Sequence, residues 1–157
     1  MSDAPPYIQG MNNCIKSFLV ATMALVSFEA QAQDAAFAPV SADQVVMADL
    51  LYLKRAVVVF ADSPNDPNYI RQLDLLTRDT AALVERDVIV ITDTTPKPPS
   101  ALRQQLRPRG FSLVVLDKDG QPELRKPLPW DTREITHAID KFPSRRAEML
   151  QQMPAGR

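Results

Sequence analysis

The side chains of this sequence that could do chemistry stand in a few places. They are one thiol, Cys14; one imidazole, His137; the stretch Asp62-Ser-Pro-Asn-Asp-Pro67; the tetrapeptide Asp117-Lys-Asp-Gly120; and the closing Ser144-Arg-Arg-Ala-Glu148. A catalytic imidazole needs an orienting acid and a nucleophile beside it, and the chain has no G-x-S-x-G elbow to supply a serine. His137 follows Ile135 by two residues, which on a helix puts it about 200° away from that apolar side chain. It is read as a surface residue. Asp117-Lys-Asp-Gly120 shares its first residues with a calcium loop but lacks the ligand before the glycine and the later bidentate glutamate. It is read as a hairpin turn. Nothing here calls for a metal or any other cofactor.

Two stretches remain as candidate binding residues. Asp62, Ser63, Asn65 and Asp66 stand where a strand gives way to a helix, at the edge where open α/β sheets collect ligands and helix amides favour anions. The two aspartates argue against a strongly anionic ligand, and the same residue types also serve as helix caps and turn formers. Both readings stand. In the second stretch, Arg145 and Arg146 fall in the first turn of a helix, where the macrodipole disfavours cations by about 0.3–1 kcal/mol. Asp140, Glu148, Asp62 and Asp66 are the carboxylates that could offset this as structural ion pairs; a bound anion could do the same. Trp130, amid Pro127 and Pro129, is read as a staple or core edge.

The chain ahead of these residues reads as a leader. Ser17 to Phe28 is an uncharged, mostly apolar run behind Lys16, followed by the small-x-small site Ala30-Gln-Ala32. Basic flank, short apolar stretch and A-x-A-like site make a secretory signal peptide over residues 1–32. The run falls short of the roughly 20 residues that span a bilayer comfortably. An uncleaved anchor and a buried helix are the competing readings, and the former would be the chain's membrane contact. Met11 is the natural start of such a leader, so residues 1–10 are a candidate mis-assigned start. Cleavage removes Cys14, Lys16, Asp3 and Glu29. Residues 33–157 then carry 17 acidic and 17 basic side chains and no thiol. The expected location is periplasmic or secreted, with a core that holds itself together without disulfides. A balanced charge excludes a global basic field for nucleic acid, though not a local patch.

The elements that must position the candidates follow from hydrophobic patterning. Ser41-Ala-Asp-Gln44 reads as a capping box opening a helix towards Leu53. Ala56 to Ala61 and Asp87 to Thr92 are continuous β-branched runs of the kind buried on both faces of a parallel sheet. Between them, Tyr69, Leu73, Leu76, Thr80 and Leu83 form one helical stripe, so the two strands pair in parallel through a right-handed crossover. Ser100 caps a short helix to Leu106. Phe111 to Leu116 and Glu123 to Arg125 flank the Asp119-Gly120 turn as a hairpin, with Pro122 at the edge. Asp131 to Glu134 is a second capping box, and a last helix runs from about Ser144 to Gln152. These make one domain with its core over about residues 40–150.

This order, strand, helix, strand, helix, hairpin, helix, resembles the thioredoxin-like arrangement. Val57 to Ala61 resembles the strand leading to a thioredoxin's active-site motif, Arg109-Gly-Phe-Ser-Leu113 the approach to its third strand, and Lys118-Asp-Gly120 its hairpin. More specifically, AVVVFA at Ala56, GFSLVVLDKDG at Gly110 and the string Ile139 to Met149 resemble domain-of-unknown-function family 4174. That family occurs in secreted bacterial proteins and at the end of vertebrate sushi-repeat and coiled-coil extracellular proteins. The resemblance implies an α/β, three-layer thioredoxin-like sandwich. Its mixed four-stranded sheet, two parallel strands plus a β-hairpin, would be flanked by helices. A thioredoxin's cysteine pair would fall in the loop that here reads Asp62 to Asn68, and its cis-proline about where Ser112 stands, which makes Ser112 a further candidate binding residue. Without a thiolate the disulfide chemistry is lost.

The expected role is therefore a non-catalytic binding module, with another envelope or extracellular protein as the expected class of partner. An enzyme of thiol-independent chemistry at the loop after the first strand is the alternative. Intact-mass analysis of the exported protein is expected to give a chain starting at Gln33 that takes up no thiol alkylator. A working form that retains Cys14 would overturn this reading.

Overall fold

The computed structural model describes residues 38–152; the expected leader and Cys14 lie outside the described residues. Its centre is β2 (Arg55–Phe60), buried at every position. Five of its six residues are apolar, and alternation along the pleat divides them between two cores. Val57 and Val59 face one side with Leu76, Leu83, Leu113, Val115, Ile135 and Ile139. Ala56, Val58 and Phe60 face the other with Ile91, Leu102, Leu106, Val114 and Leu116. β3 (Val88–Asp93) pairs with β2 in parallel, from Arg55 opposite Val88 to Phe60 opposite Asp93. β4 (Ser112–Leu116) runs antiparallel on the other side, with Ser112 opposite Phe60, and β5 (Pro122–Lys126) pairs antiparallel to β4 at the edge.

The sheet has five strands where the patterning predicts four, in the order β1-β3-β2-β4-β5. The extra strand, β1 (Val40–Ser41), pairs in parallel with Ile91 and Thr92 of β3. This also overturns the first capping box. Ser41 makes no side-chain cap; a 3₁₀ turn occupies Ala42–Gln44, and among the described residues the one α-helix before β2 is α1 (Met47–Leu50). Val45 and Val46 are both extended, as β-branched residues beside an open sheet edge favour.

The helices follow their caps. Asp66 accepts from the Asn68 and Tyr69 amides to open α2 (Pro67–Thr77), with Pro67 in the first turn. The stripe predicted to run on to Leu83 is broken, because Asp79 caps a separate α3 (Thr80–Val84) through the Ala82 amide. Ser100 caps α4 (Ala101–Leu106), and Asp131 with Glu134 forms the predicted capping box of α5 (Thr132–Ile139). α6 (Pro143–Gln152) closes the described chain. The hairpin between β4 and β5 is present, but its turn differs from the two-residue form. The Gly120 amide donates to the Asp117 carbonyl at 2.9 Å, and Gly120 holds φ +79°. A Cβ at Gly120 would stand 2.9 Å from Leu51 Cδ2, so space and backbone both require glycine there.

At the amino end of β2 a charge is enclosed. Arg55 is 0% exposed, and all five guanidinium N–H groups find acceptors. Nε donates to Asp117 at 3.1 Å. Nη1 donates to the Arg86 carbonyl at 2.9 Å and to Glu148 at 3.2 Å. Nη2 donates to Glu148 at 2.9 Å and to the Ser144 hydroxyl, which in turn donates to Asp117. Lys118 joins this cluster through Glu148 (2.7 Å) and Asp87 (2.9 Å), tying α6 to the sheet.

Burial raises the Glu148 carboxyl, but hydrogen bonds from Arg55 and Lys118 outweigh it and hold the group below its usual range. For Asp87 the same opposition of burial against Lys118 and Lys54 also ends low. Asp140 is held low first by its hydrogen bond from Arg86. Carboxyls depressed in the fold contribute stability above their unfolded values, about 4, and lose it as pH falls through the folded ones. The melting temperature is therefore expected to drop as pH is lowered below about 4. Glu148→Gln should lower it at neutral pH and flatten the acid limb, as followed by circular dichroism. An acid limb unchanged in that variant would exclude the cluster as its source.

Candidate functional site

The carboxyl ends of β2 and β3 carry the first predicted stretch. Beyond Phe60 the chain passes through Ala61, whose amide donates to the Asp93 carbonyl at 2.9 Å, and then enters the exposed loop at Asp62. The space over these strand ends is taken by Arg103 of α4, which is 8% exposed. Its Nε and Nη2 donate to Asp93 at 3.2 and 3.1 Å, and Nη1 donates to Asp62 at 3.2 Å. Nη2 also reaches the carbonyls of Ala61 at 2.6 Å and Asp93 at 3.1 Å. The guanidinium carbon stands 5.5 Å from the centroid of the Phe60 ring, within range of a cation–π contact. The Asp93 carboxylate is completed by the Ser100 hydroxyl at 2.6 Å and the Thr95 amide at 3.2 Å. Ser100 thus caps α4 and anchors the acid that anchors Arg103.

This network sorts the loop residues. Asp62 is held by Arg103, Asp66 is consumed as the cap of α2, and Ser63 accepts from the Asn65 amide at 3.2 Å within an exposed turn. Ser112 opens β4 opposite Phe60, is 5% exposed, and stands at the same end of the sheet. The second predicted stretch is elsewhere. Arg145 is 6% exposed and pairs with Glu85 at 3.0 Å, with Glu148 and Asp140 at 3.5 Å. Its buried Nε has Asp140 nearby but no aligned hydrogen-bond acceptor. Arg146 is exposed, and Asp140 itself is gripped by both Nε and Nη2 of Arg86 at 2.8 and 2.9 Å. Asp140 and Glu148 are therefore the carboxylates that meet Arg145, whereas Asp62 and Asp66 do not. The reason is the length of β2. Asp62 lies beyond its carboxyl end and the Arg145 group beside Arg55 at its amino end, about 17 Å apart at the usual rise. One site cannot contain both stretches.

His137 is exposed on α5, as its spacing predicts, and Trp130 packs on the edge of the first core. Gln72, fully buried, donates to the Trp130 carbonyl and accepts from its amide, at 2.9 and 2.8 Å.

A groove of about 430 Å³ is lined by Arg107, Arg109, Phe111, Ser112, Arg125 and Pro127; sequence reasoning names Ser112 of these and misses the other five. Arg107 follows α4 in the left-handed region at φ +48°, a conformation that costs a non-glycine residue about 1–2 kcal/mol. Gly110, at φ +58°, turns the chain back into β4. Arg125 arrives from β5, and its Nη2 donates to the Leu106 carbonyl at the end of α4 at 2.7 Å. The Arg107-Pro-Arg109 triplet is the one signal in the sequence that could have pointed here. Its third cation is supplied by strand pairing.

Removing Arg103 leaves Asp93 buried and unmatched, so Arg103→Ala is expected to destabilise the fold by about 3–5 kcal/mol in urea denaturation. A loss below about 1 kcal/mol would mean that water replaces the guanidinium.

The chain matches the family described as Domain of unknown function (DUF4174) over residues 46–148. No curated protein matches it. Among solved structures it is similar to a chloroplastic thioredoxin z at 19% identity, covering 66% of this chain and 92% of that one with a TM-score of 0.50. A reduced 2-Cys peroxiredoxin from Plasmodium vivax is similar at 13% identity, over 69% and 86% of the two chains, with a TM-score of 0.51. Identities this low speak for the fold and not for the chemistry. With the strand order described above they make the fold thioredoxin-like, and the match over residues 46–148 makes this chain a member of the DUF4174 family.

Proposed function

We propose that the domain is a non-catalytic binding module of an exported protein, with its binding face at the carboxyl end of β2. The observation that carries this reading is Arg103. Where the strand ends could have held a reactive group, a buried guanidinium is locked by Asp62, Asp93 and two main-chain carbonyls. A guanidinium so occupied offers a substrate no free donor over the strand ends. Among residues 38–152 there is no cysteine, so thiol chemistry has no nucleophile there. The thiol-independent enzyme centred on Asp62 to Asp66 loses support from the same contacts, since Asp62 is held by Arg103 and Asp66 is a cap. Binding needs only a preformed concave surface with a few placed polar groups, and the groove beside Ser112 supplies one.

Export rests on the leader over residues 1–32 and its predicted cleavage at Ala32. A role outside the cytoplasm follows from it, with envelope or extracellular molecules as the class of partner.

The purified protein is expected to leave insulin reduction by dithiothreitol at its uncatalysed rate and to consume no hydrogen peroxide. Acceleration of either reaction would overturn the reading.

A further inference from the structure

The groove between the α4–β4 connection and β5 gathers three arginines around one concavity. Three of its six lining residues are the exposed arginines Arg107, Arg109 and Arg125. Among the described residues, none of the three forms an ion pair. Other surface arginines, Arg71, Arg133 and Arg146, are outside the ion pairs as well; what sets these three apart is that they line one concavity. Of the acids near the groove, Asp62 directs one oxygen to Arg103 at 3.2 Å, and Glu123 shares β5 with Arg125 without pairing to it. Three like charges around one concavity repel each other and focus a positive potential there.

The backbone fixes this arrangement. Arg107 is held in the left-handed region and Arg109 sits between Pro108 and Gly110. Arg125 is tethered through one nitrogen to the Leu106 carbonyl at 2.7 Å, which leaves its other donors open. Guanidinium forks suit oxyanions because two parallel N–H groups match two oxygens. Phe111 and Pro127 form the apolar part of the lining, and the Ser112 hydroxyl adds a neutral donor. A volume of about 430 Å³ admits a small organic molecule.

We propose that this groove binds a small organic oxyanion of two negative charges, such as a phosphate monoester, with its apolar part against Phe111 and Pro127. The inference rests on the reading of this end of the sheet as a binding face, and names the ligand class. The first-loop aspartates keep a negative charge nearby, since Arg103 is shared between Asp93 and Asp62, but Asp62 and Asp66 direct oxygens to Arg103 and to the amides of α2, and the lining itself holds three arginines and no acid.

Isothermal titration calorimetry of the purified chain at pH 8 and low salt tests it with three probes: phenyl phosphate, inorganic phosphate and phenol. Phenyl phosphate should bind saturably at one site, inorganic phosphate more weakly, and phenol not at all. Added sodium chloride should weaken the phenyl phosphate. Arg109→Gln and Arg125→Gln should each raise the phenyl phosphate Kd about tenfold or more with the melting temperature preserved. Arg78→Gln, an exposed change at the far end of α2, should leave it unaltered. No saturation by about 10 mM phenyl phosphate, equal binding of phenol, or an unchanged Kd in both groove variants would overturn the proposal. If the titrations fail while insulin reduction stays uncatalysed, only the ligand class falls. Catalysed insulin reduction would instead remove the binding-module reading, whatever the titrations give.

Discussion

β2 has water on neither face and at neither end, and the rest of the structure answers to that constraint. Its apolar residues are divided between two cores, so helices must cover both sides of the sheet. Its ends are harder to close, because a strand buried to its termini brings main-chain groups and neighbouring charges out of water with it. The fold closes both with arginine. Arg55 is the first residue of the strand itself, and Arg103 reaches over the last from α4. Each guanidinium offers several donors in one plane, enough to match carboxylates and free carbonyls together. Burying such a group unmatched would cost several kcal/mol, which is why both are saturated.

The two closures differ in what they leave outside. At the amino end Arg55, Lys118 and Arg145 draw in Asp117, Glu148, Asp87, Asp140 and Glu85, and the last helix is fixed to the sheet by those contacts. Cations and carboxylates alternate there and satisfy each other, which accounts for Arg145 in the first turn of a helix despite the macrodipole, whereas Arg146 is exposed to water and outside these pairs. At the carboxyl end one acid pair suffices, and the chain leaving α4 carries two further arginines with no acids to match them. The imbalance is local, and the proposed recognition of an oxyanion at this end of the domain rests on it.

The thioredoxin-like scaffold is thus retained with its strand ends occupied by an ion pair. A fold of this kind supports many chemistries through the loops at the carboxyl edge of its sheet. Here the loop after β2 is spent on an Asx cap and an anchoring carboxylate, and the cations of the α4–β4 connection lie exposed beside it.

Local signals alone place β2 to β5, most of the helices and most of their caps. β-branched runs such as AVVVFA, proline at a helix start, and Asp131 with Glu134 are local signals whose physics acts within a few residues. The sequence also indicated that Arg145 needed a carboxylate and supplied Asp140 and Glu148 among the choices. Two-residue β1 was not legible, because its pairing depends on an open edge of β3 and not on its own residues. Nor was the separation of the two candidate stretches, which only the length of β2 reveals. Tertiary structure alone decided that Arg103 would close the strand ends, and that Arg125 would join Arg107 and Arg109 across a sheet edge. Contacts of that kind join positions far apart in sequence, and no periodicity of 3.6 or 2 residues carries them.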